Sequence, residues 1–296
     1  MMRGLSAVTL TRAFAAISVL VFSACHPPAG AQRDATMDYA VARRQFHTRL
    51  VKQPSFPAAH PYTMPSDAFP LDYESSGLAL TAWISHAPNE KAHPAVLFVH
   101  GGGGFDVEDW QMSQPFRDAG FIVMSPLLRG ENGLPGEYSL FYNEVDDVLA
   151  AAEVLIRQPG VDPHRIYLAG HSAGGTIALL AALTSRRFRA AASFSGDPDF
   201  ENFAKLPGAD AIIPYAPGNR DEIRMRSALV FATSFKCPTR MFWGAMEDGV
   251  GEANRATVRR AKAAGLDVAG IEVEGDHHTM LVPAIADAIA FFAQQR

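Results

Sequence analysis

The sequence RIYLAGHSAGGTIALL, residues 165–180, contains the pattern that decides the fold. Its first part, residues 166–169, is a short apolar run of the kind that forms a buried strand, and residues 176–180 form an apolar run suited to a helix. Between them lies Gly-His-Ser-Ala-Gly, in which small residues let the backbone turn sharply. We expect a strand, a tight turn and a helix, with the hydroxyl of Ser172 at the strand end above the helix N-terminus.

Apolar runs and helix-like stretches alternate along the rest of the chain. The other runs suited to strands are residues 78–84, 95–100, 121–125, 190–195, 239–243 and 268–273. Two helices are expected to bury one face each: residues 144–156 through Val145, Val148, Ala152 and Ile156, and the last helix, from Pro283, through Ile285, Ile289 and Phe292. This alternation predicts an α/β fold, with a mostly parallel central sheet and helices on both faces. Residues 197–235 break the alternation, so we expect a small insertion there, over the carboxyl end of the sheet.

The composition is that of an ordinary globular protein. The chain has 296 residues, of which 48% are hydrophobic and 19% charged, and a formal net charge of −5. These values exclude a disordered, collagen-like or coiled-coil chain. Lys and Arg form no dense block, so nucleic acid is not an expected partner.

The first 24 residues are typical of an export signal. Arg3 and Arg12 precede an apolar run, residues 13–22, that is too short to cross a bilayer, which needs about 20 residues. The run leads through small residues to Cys25, and this resembles the lipobox of bacterial lipoproteins, with Phe22 in place of the usual Leu. We therefore expect a protein exported to the periplasm or cell envelope and anchored in the membrane by a lipid on Cys25.

Ordinary signal cleavage after Ala31 is the alternative, and it also exports the protein. We interpret residues 25–70 as a tether and an N-terminal arm, and residues 71–296 as a catalytic domain. The second cysteine, Cys237, stands at the head of an apolar strand, where a buried apolar thiol is expected. A lipidated Cys25 would leave it without a disulfide partner.

A serine hydroxyl is a weak nucleophile, so Ser172 would need a base, an orienting acid and donors for an oxyanion. The glycine run 101–104 follows a predicted strand, and its N–H groups can point into a cavity. Gly102 and Ala173 are the candidate oxyanion donors. No phosphate-binding pattern fits the run. His100, just before it, is expected to make structural hydrogen bonds rather than to act as the base.

The base should follow the last strand, where His277 and His278 are neighbours. Adjacent side chains on an extended segment point apart, so only one can face Ser172 and a shared metal is not expected. We favour His277 and keep His278 as the alternative. The acid should follow the preceding strand, where Glu247 and Asp248 are both candidates. The order serine, acid, histidine is that of α/β-hydrolases.

Asp197 and Asp199 are weaker candidates for the acid. Both follow the predicted strand 190–195, and we interpret them as turn residues.

The sequence is similar to a known group, the catalytic domains of prolyl oligopeptidases, dienelactone hydrolases and acetyl esterases. The similarity is carried by Val-Asp-Pro-His-Arg-Ile-Tyr (161–167) leading into Gly-His-Ser-Ala-Gly-Gly, and by Leu-Arg-Gly-Glu-Asn-Gly (128–133) upstream of Asp146 and Asp147. It extends from about residue 73 to the C-terminus.

The resemblance implies an α/β-hydrolase fold without metal or organic cofactor. It also implies Ser172 as nucleophile, His277 as base, and Gly102 and Ala173 as oxyanion donors. The usual acid motif of this group is Gly-x-x-Asp-x-x-Val, whose register from Gly244 to Val250 places Glu247 at the acid position. Residue type favours Asp248, and we prefer Glu247 by register.

A second departure is His171, which stands where hormone-sensitive-lipase-like esterases carry Asp. The 296 residues also leave no room for the β-propeller that restricts peptidases of the prolyl oligopeptidase type to short peptides. We therefore expect a serine hydrolase that cleaves small carboxylic esters through an acyl-enzyme. A peptidase acting on short peptides is the alternative enzyme, and a non-catalytic binding scaffold is the alternative from another class.

The substrate pocket is the least determined part of the site. Five apolar residues of the expected insertion are candidates for its wall or for a lid packed on the core: Phe200, Phe203, Ile212, Ile213 and Tyr215. Residues 134–142 are candidates for the opposite wall.

Overall fold

The computed structural model describes residues 37–53, 64–102 and 104–295. In these ranges the strands are β1 (Ala68–Ser75), β2 (Leu78–Ser85), β3 (His93–Val99), β4 (Ile122–Pro126), β5 (Val161–His171), β6 (Ala190–Phe194), β7 (Thr239–Gly244) and β8 (Val268–Val273). The helices are α1 (Tyr39–Gln45), α2 (Val107–Met112), α3 (Gln114–Asp118), α4 (Glu144–Leu155), α5 (Ala173–Thr184), α6 (Phe200–Ala204), α7 (Ala209–Ile212), α8 (Arg220–Met225), α9 (Asp248–Ala263) and α10 (Leu281–Gln294).

The described strands form one sheet in the order β1-β2-β4-β3-β5-β6-β7-β8. The first two strands run antiparallel to their neighbours, and the strands from β3 to β8 are parallel to one another. In the sheet, β4 lies on one side of β3 and β5 lies on the other, so the strand order reverses at β3. Ligand sites of open α/β sheets lie beyond the carboxyl ends of the strands at such a point.

Alternating side chains of the central strands enter two hydrophobic clusters, one on each face of the sheet. In β3, Leu97 and Val99 pack with side chains of α4 and α5, while Val96 and Phe98 pack with those of α2, α3 and α10. Both faces are therefore covered by helices, which explains why the parallel strands are nearly continuous runs of apolar residues.

The predicted α/β-hydrolase architecture, with a mostly parallel sheet and helices on both faces, is confirmed. The predicted strands differ from the observed ones by a few residues at their ends. One strand was missed: β1 pairs along its whole length with β2 at the edge of the sheet. Its sequence contains Pro70 and two acidic residues, and it alternates buried with exposed positions, so it lacks the apolar signal of the central strands.

The structure moves two sequence-based boundaries and gives the contents of the insertion. The expected domain start at residue 71 falls inside β1, which begins at Ala68. The last helix begins at Leu281, two residues before Pro283, and Ile289 in it is half-buried rather than buried. The insertion between β6 and β7 consists of α6, α7, α8 and a short 3₁₀ helix.

Residues 37–53 lie against the insertion through buried polar contacts. Tyr39 donates from its backbone N–H to Ser234 Oγ at 3.0 Å and from its hydroxyl to the carbonyl oxygen of Met225 at 2.8 Å. Thr48 donates to Glu222 Oε2 at 2.7 Å and accepts from Arg226 at 2.9 Å. Arg226 and Glu222, both about fully buried, form an ion pair at 2.6 Å.

The predicted signal, Cys25 and the alternative cleavage site after Ala31 lie outside the described residues. Within the described ranges, no helix is long and apolar enough to span a membrane. Cys237 is a free, buried thiol as predicted, and burial raises its pKa to about 12.

Helix α5 meets the sheet so closely that one glycine in its first turn and one in the strand before it have no room for a side chain. A Cβ on Gly174 would lie 2.2 Å from the carbonyl oxygens of Val99 and His100, at the end of β3. A Cβ on Gly170 would lie 2.3 Å from the carbonyl oxygen of Gly174 itself. The G-x-S-x-G glycines are therefore required by contact between backbones as well as by the sharp turn.

We expect Gly174→Ala to destabilise the protein by at least about 3 kcal/mol, because the new methyl group overlaps backbone atoms that cannot rotate away. Gly249→Ala is the matched control, since Gly249 lies in α9 with open space around its Cβ position and alanine favours helices by about 1 kcal/mol. Denaturant unfolding of the two variants and the parent checks this expectation. Equal stability of the two variants would contradict it.

Candidate active site

Ser172 occupies the sharp turn between β5 and α5. Its backbone has φ 55° and ψ −120°, a conformation that costs a non-glycine residue about 1–3 kcal/mol. The turn is held from both sides, because the N–H of Ser172 donates to Phe194 at 2.8 Å and its carbonyl oxygen accepts from Thr176 at 3.1 Å. The side chain is half-buried and lines a cavity at the carboxyl end of the sheet.

The glycine run after β3 lies beside the serine turn. A Cβ on Gly101 would be 3.7 Å from Cβ of Ser172, and a Cβ on Gly102 would be 3.7 Å from Cβ of Ala173. Gly102, Ser172 and Ala173 all line the cavity. The two predicted oxyanion donors, the N–H groups of Gly102 and Ala173, thus belong to adjoining turns on the same cavity wall.

The motif at residues 128–133 holds the glycine run in place. The side chain of Asn132 accepts from the N–H of Phe105 at 2.9 Å and donates to its carbonyl oxygen at 2.7 Å. Glu131, which is buried, lies with Oε2 3.0 Å from Nε2 of His100. The motif is itself anchored by Arg129, which pairs with the buried Asp147 through hydrogen bonds of 2.6 and 2.9 Å.

His100 is a buried cation at the base of this loop. Burial acts to lower the pKa of His100, but the carboxylate of Glu131 outweighs it and raises the pKa from 6.5 to about 9. The other ring nitrogen, Nδ1, lies 2.7 Å from the carbonyl oxygen of Gly101 and donates to it in the protonated ring. His100 is therefore placed as a structural hydrogen-bonding residue, which is the role expected from the sequence.

His277 and Glu247 form a close pair across the ends of β7 and β8. Nδ1 of His277 lies 2.6 Å from Oε1 of Glu247. The other carboxylate oxygen of Glu247 accepts from the Ser195 hydroxyl at 2.6 Å and from the Gly244 N–H at 2.7 Å. Burial acts to raise the pKa of Glu247, but the hydrogen bonds from Ser195, His277 and Gly244 outweigh it and lower the pKa.

The alternative residues lie elsewhere. Asp248 is exposed and is the first residue of α9, and its neighbour Glu247 is the residue that faces His277. His278 is exposed and donates its backbone N–H to Asp276. His277 lines the cavity together with Ser172. Asp199 caps the N-terminus of α6, as a turn residue would.

His171, within the G-x-S-x-G sequence, contacts the histidine loop. Its Nε2 lies 3.0 Å from the carbonyl oxygen of His277, and its ring centroid lies 4.9 Å from that of His277. Burial lowers the pKa of His171 to about 4, so the ring is neutral and donates its Nε2 proton to this carbonyl. His171 thus helps to hold the backbone of His277.

The cavity has a volume of about 690 Å³. The insertion supplies one wall and the loop before α4 supplies the other, through Phe200, Phe203, Leu206, Ala211 and Ile212 on one side and Tyr138, Leu140 and Phe141 on the other. Two of the five insertion residues proposed from the sequence, Ile213 and Tyr215, instead pack in the hydrophobic core. The expected wall at residues 134–142 corresponds to the observed one.

Three side chains that hold parts of this site in place were not predicted from the sequence: Ser195, His171 and Asn132. Ser195 is the last residue of a predicted strand, and strand ends are a recognised place for site residues, but its contact with Glu247 depends on the pairing of β6 with β7. His171 was noted only as a departure, and Asn132 only as part of a motif. Among the described residues, no group of three or more His, Cys, Asp or Glu side chains is placed to hold a metal ion.

The chain is similar to known hydrolases in sequence and fold. Residues 106–217 match the model of the prolyl oligopeptidase family. The solved puromycin-hydrolysing peptidase of Mycobacterium tuberculosis superposes with a TM-score of 0.68 at 24% identity, over 77% of this chain and 40% of that one. The chain has the α/β-hydrolase fold.

Two other similar proteins differ in the share of their own length that this chain matches. The acetyl xylan esterase 1 of a Thermoanaerobacterium species superposes with a TM-score of 0.61 at 19% identity, over 90% of this chain and 94% of that one. The curated relative from Bacillus subtilis, an uncharacterised peptidase named YtmA, is 23% identical over 59% of this chain and 64% of its own length. The chain thus matches less than two thirds of the peptidases and nearly all of the esterase.

The buried cation in this hydrolase fold predicts a pH dependence of stability. His100 has a raised pKa in the folded protein, about 9 against 6.5, so its contribution is fully present below pH 6.5 and is lost as the pH rises through 9. We expect the difference in free energy of unfolding between the parent and His100→Gln to fall by about 3 kcal/mol from pH 6.5 to pH 9.5.

Denaturant titrations across this pH range measure the difference. His164→Gln is the matched control, because it removes an exposed imidazole. Parallel stability curves for the parent and His100→Gln would show that His100 carries no such proton.

Proposed function

We propose that this protein is a serine hydrolase that cleaves carboxylic esters through an acyl-enzyme. The observation that carries the proposal is the 2.6 Å pair of His277 Nδ1 and Glu247 Oε1 beside the cavity that Ser172 and His277 both line. A histidine held in this way by a carboxylate keeps its second nitrogen free to accept the proton of a serine hydroxyl.

In the proposed mechanism, Ser172 attacks the ester carbonyl while Nε2 of His277 takes the hydroxyl proton. Glu247 accepts a hydrogen bond from Nδ1–H of His277 and stabilises the imidazolium that forms. The N–H groups of Gly102 and Ala173 hold the oxyanion of the tetrahedral intermediate. His277 then gives its proton to the leaving alcohol. In the second half of the reaction, water attacks the acyl-enzyme while His277 takes its proton. Return of that proton to Ser172 releases the acid.

Several observations support an ester as the substrate. The chain matches 94% of the length of an acetyl xylan esterase but 40% of that of a puromycin-hydrolysing peptidase. The cavity is lined mainly by apolar side chains of the insertion, as an acyl pocket would be. Cleavage of short peptides is the second candidate, and the match of residues 106–217 to the prolyl oligopeptidase family favours it.

We also propose that the protein is exported and anchored by a lipid on Cys25. The basic residues, the apolar run and the small residues before Cys25 support this proposal. Intact mass measurement of the membrane fraction from a bacterial host, with and without Cys25→Ala, tests it. A protein cleaved after Ala31 and free of lipid would contradict it.

A fluorophosphonate probe should form one adduct, on Ser172, because an activated serine attacks phosphorus as it attacks an ester. Ser172→Ala should lose the adduct while remaining folded. Peptide mass spectrometry locates the label. An adduct on Ser195, which lines the same cavity, would contradict the assignment of the nucleophile. Folded protein with no adduct at all would favour the non-catalytic scaffold.

Glu247→Gln should lower kcat on a p-nitrophenyl ester by about 10³–10⁴-fold, because the amide cannot stabilise the imidazolium and favours the wrong tautomer of His277. Asp248→Asn is the matched control, since Asp248 is exposed and outside the pair; its activity should stay within about twofold of the parent. Steady-state kinetics check both. A larger loss in Asp248→Asn than in Glu247→Gln would reverse the assignment of the acid.

A further inference from the structure

The cavity beside Ser172 contains one acid that the proposed mechanism does not use. Most of its lining is aromatic or aliphatic, from Tyr138, Leu140, Phe141, Phe200, Phe203, Leu206, Ala211, Ile212 and Val250. Among the described lining residues, Asp197 is the one carboxylic acid. Burying a carboxylate among apolar groups is costly unless a partner compensates it, so its place here calls for a chemical reason.

The backbone of Asp197 is hydrogen-bonded to the first turn of α5, the helix that follows Ser172. Its N–H donates to the hydroxyl of Thr176 at 3.0 Å, and this hydroxyl donates to the carbonyl oxygen of Asp197 at 3.2 Å. Thr176 in turn is one helical turn after Ser172, to whose carbonyl oxygen its N–H donates at 3.1 Å. Asp197 and Ser172 both line the cavity, and these hydrogen bonds fix the backbone of Asp197 relative to the helix that follows Ser172.

The carboxylate of Asp197 has little compensation from the protein. In the part of the chain that the structure describes, it accepts one hydrogen bond, from the N–H of Asp199 at 2.9 Å. Burial raises the pKa of Asp197 to about 7 despite this bond. Glu247, the other acid of the site, differs because Ser195, His277 and Gly244 all donate to it. Asp197 therefore has acceptor capacity that a bound molecule could use.

We propose that Asp197 is a specificity-determining residue that binds the amino group of the substrate, and that the substrates are esters of apolar α-amino acids. In such an ester the amino group is attached next to the reacting carbonyl, and Ser172 and Asp197 line the one cavity that would hold both groups. The apolar side chain would lie against Phe200 and Phe203. This inference rests on the proposed serine-hydrolase function and deepens it.

The pairing needs only one proton at neutral pH. An α-amino group has an ordinary pKa of about 7.7–8, so the amine and the carboxyl group of Asp197 would share a single proton between them. A hydrogen bond to a charged group of this kind corresponds to roughly 10- to 100-fold in binding.

The test compares two methyl esters that differ in the amino group alone: L-phenylalanine methyl ester and methyl 3-phenylpropanoate. Release of the free acid is followed by chromatography at pH 7, with the uncatalysed rate subtracted. We expect the parent to hydrolyse the amino ester with a kcat/KM about 10- to 100-fold higher than that of the deaminated ester. Asp197→Asn should abolish most of this preference, because it should slow the amino ester far more than the deaminated ester.

Asp199→Asn is the matched control. It removes a charge two residues from Asp197 and keeps a side chain that can cap α6, so the preference for the amino ester should remain. Rates of fluorophosphonate labelling of Ser172 in each variant report whether the nucleophile is intact.

The results separate the two proposals. Labelled Ser172 with equal hydrolysis of both esters, or with a preference that Asp197→Asn leaves unchanged, would overturn the inference and leave the serine hydrolase standing. An equal loss on both esters in Asp197→Asn would show a structural role and would also overturn it. Absence of labelling in the parent would reject the proposed function itself, and the inference with it.

Discussion

The whole site depends on how closely the first turn of helix α5 approaches the ends of the neighbouring strands. Gly174 touches the last carbonyl groups of β3, and Gly175 would place a Cβ 3.0 Å from Gly196, after β6. No side chain fits between these backbones. Because the helix starts there, Ser172 must turn out of the strand in a strained conformation, and its neighbours on the cavity wall are set by the same contact.

Around this steric centre, the polar parts of the site are held by buried and half-buried side chains that are charged or form hydrogen bonds. The glycine run is positioned by Asn132 and by the contact of His100 with Glu131. The loop of His277 is held by Glu247 and by His171. Both halves of the site are thus held by hydrogen bonds and ion pairs of side chains that are shielded from water. Such interactions are stronger there than at the surface, because the local dielectric constant is lower.

Much of the fold and part of the candidate site could be predicted from the sequence, because their signals are local. The central strands are continuous apolar runs, and the serine turn, the glycine run and His277 follow such runs directly. Edge strand β1 has no such signal, and so it was missed. The functions of Ser195 and His171 were also missed, since they follow from contacts between strands that are far apart in sequence. Register alone favoured Glu247 over Asp248, and the structure places Glu247 against His277.

The contacts of residues 37–53 have a consequence for the order of folding. Thr48 binds Glu222, which is 174 residues later in the chain, and Tyr39 binds Ser234, which is 195 residues later. During synthesis the N-terminal partner of each contact is made first, and the contact can form only after most of the polypeptide has been synthesised. Closing so long a loop is entropically costly. We therefore expect the contacts between residues 37–53 and the insertion to form late in folding, after the sheet has brought the two segments together.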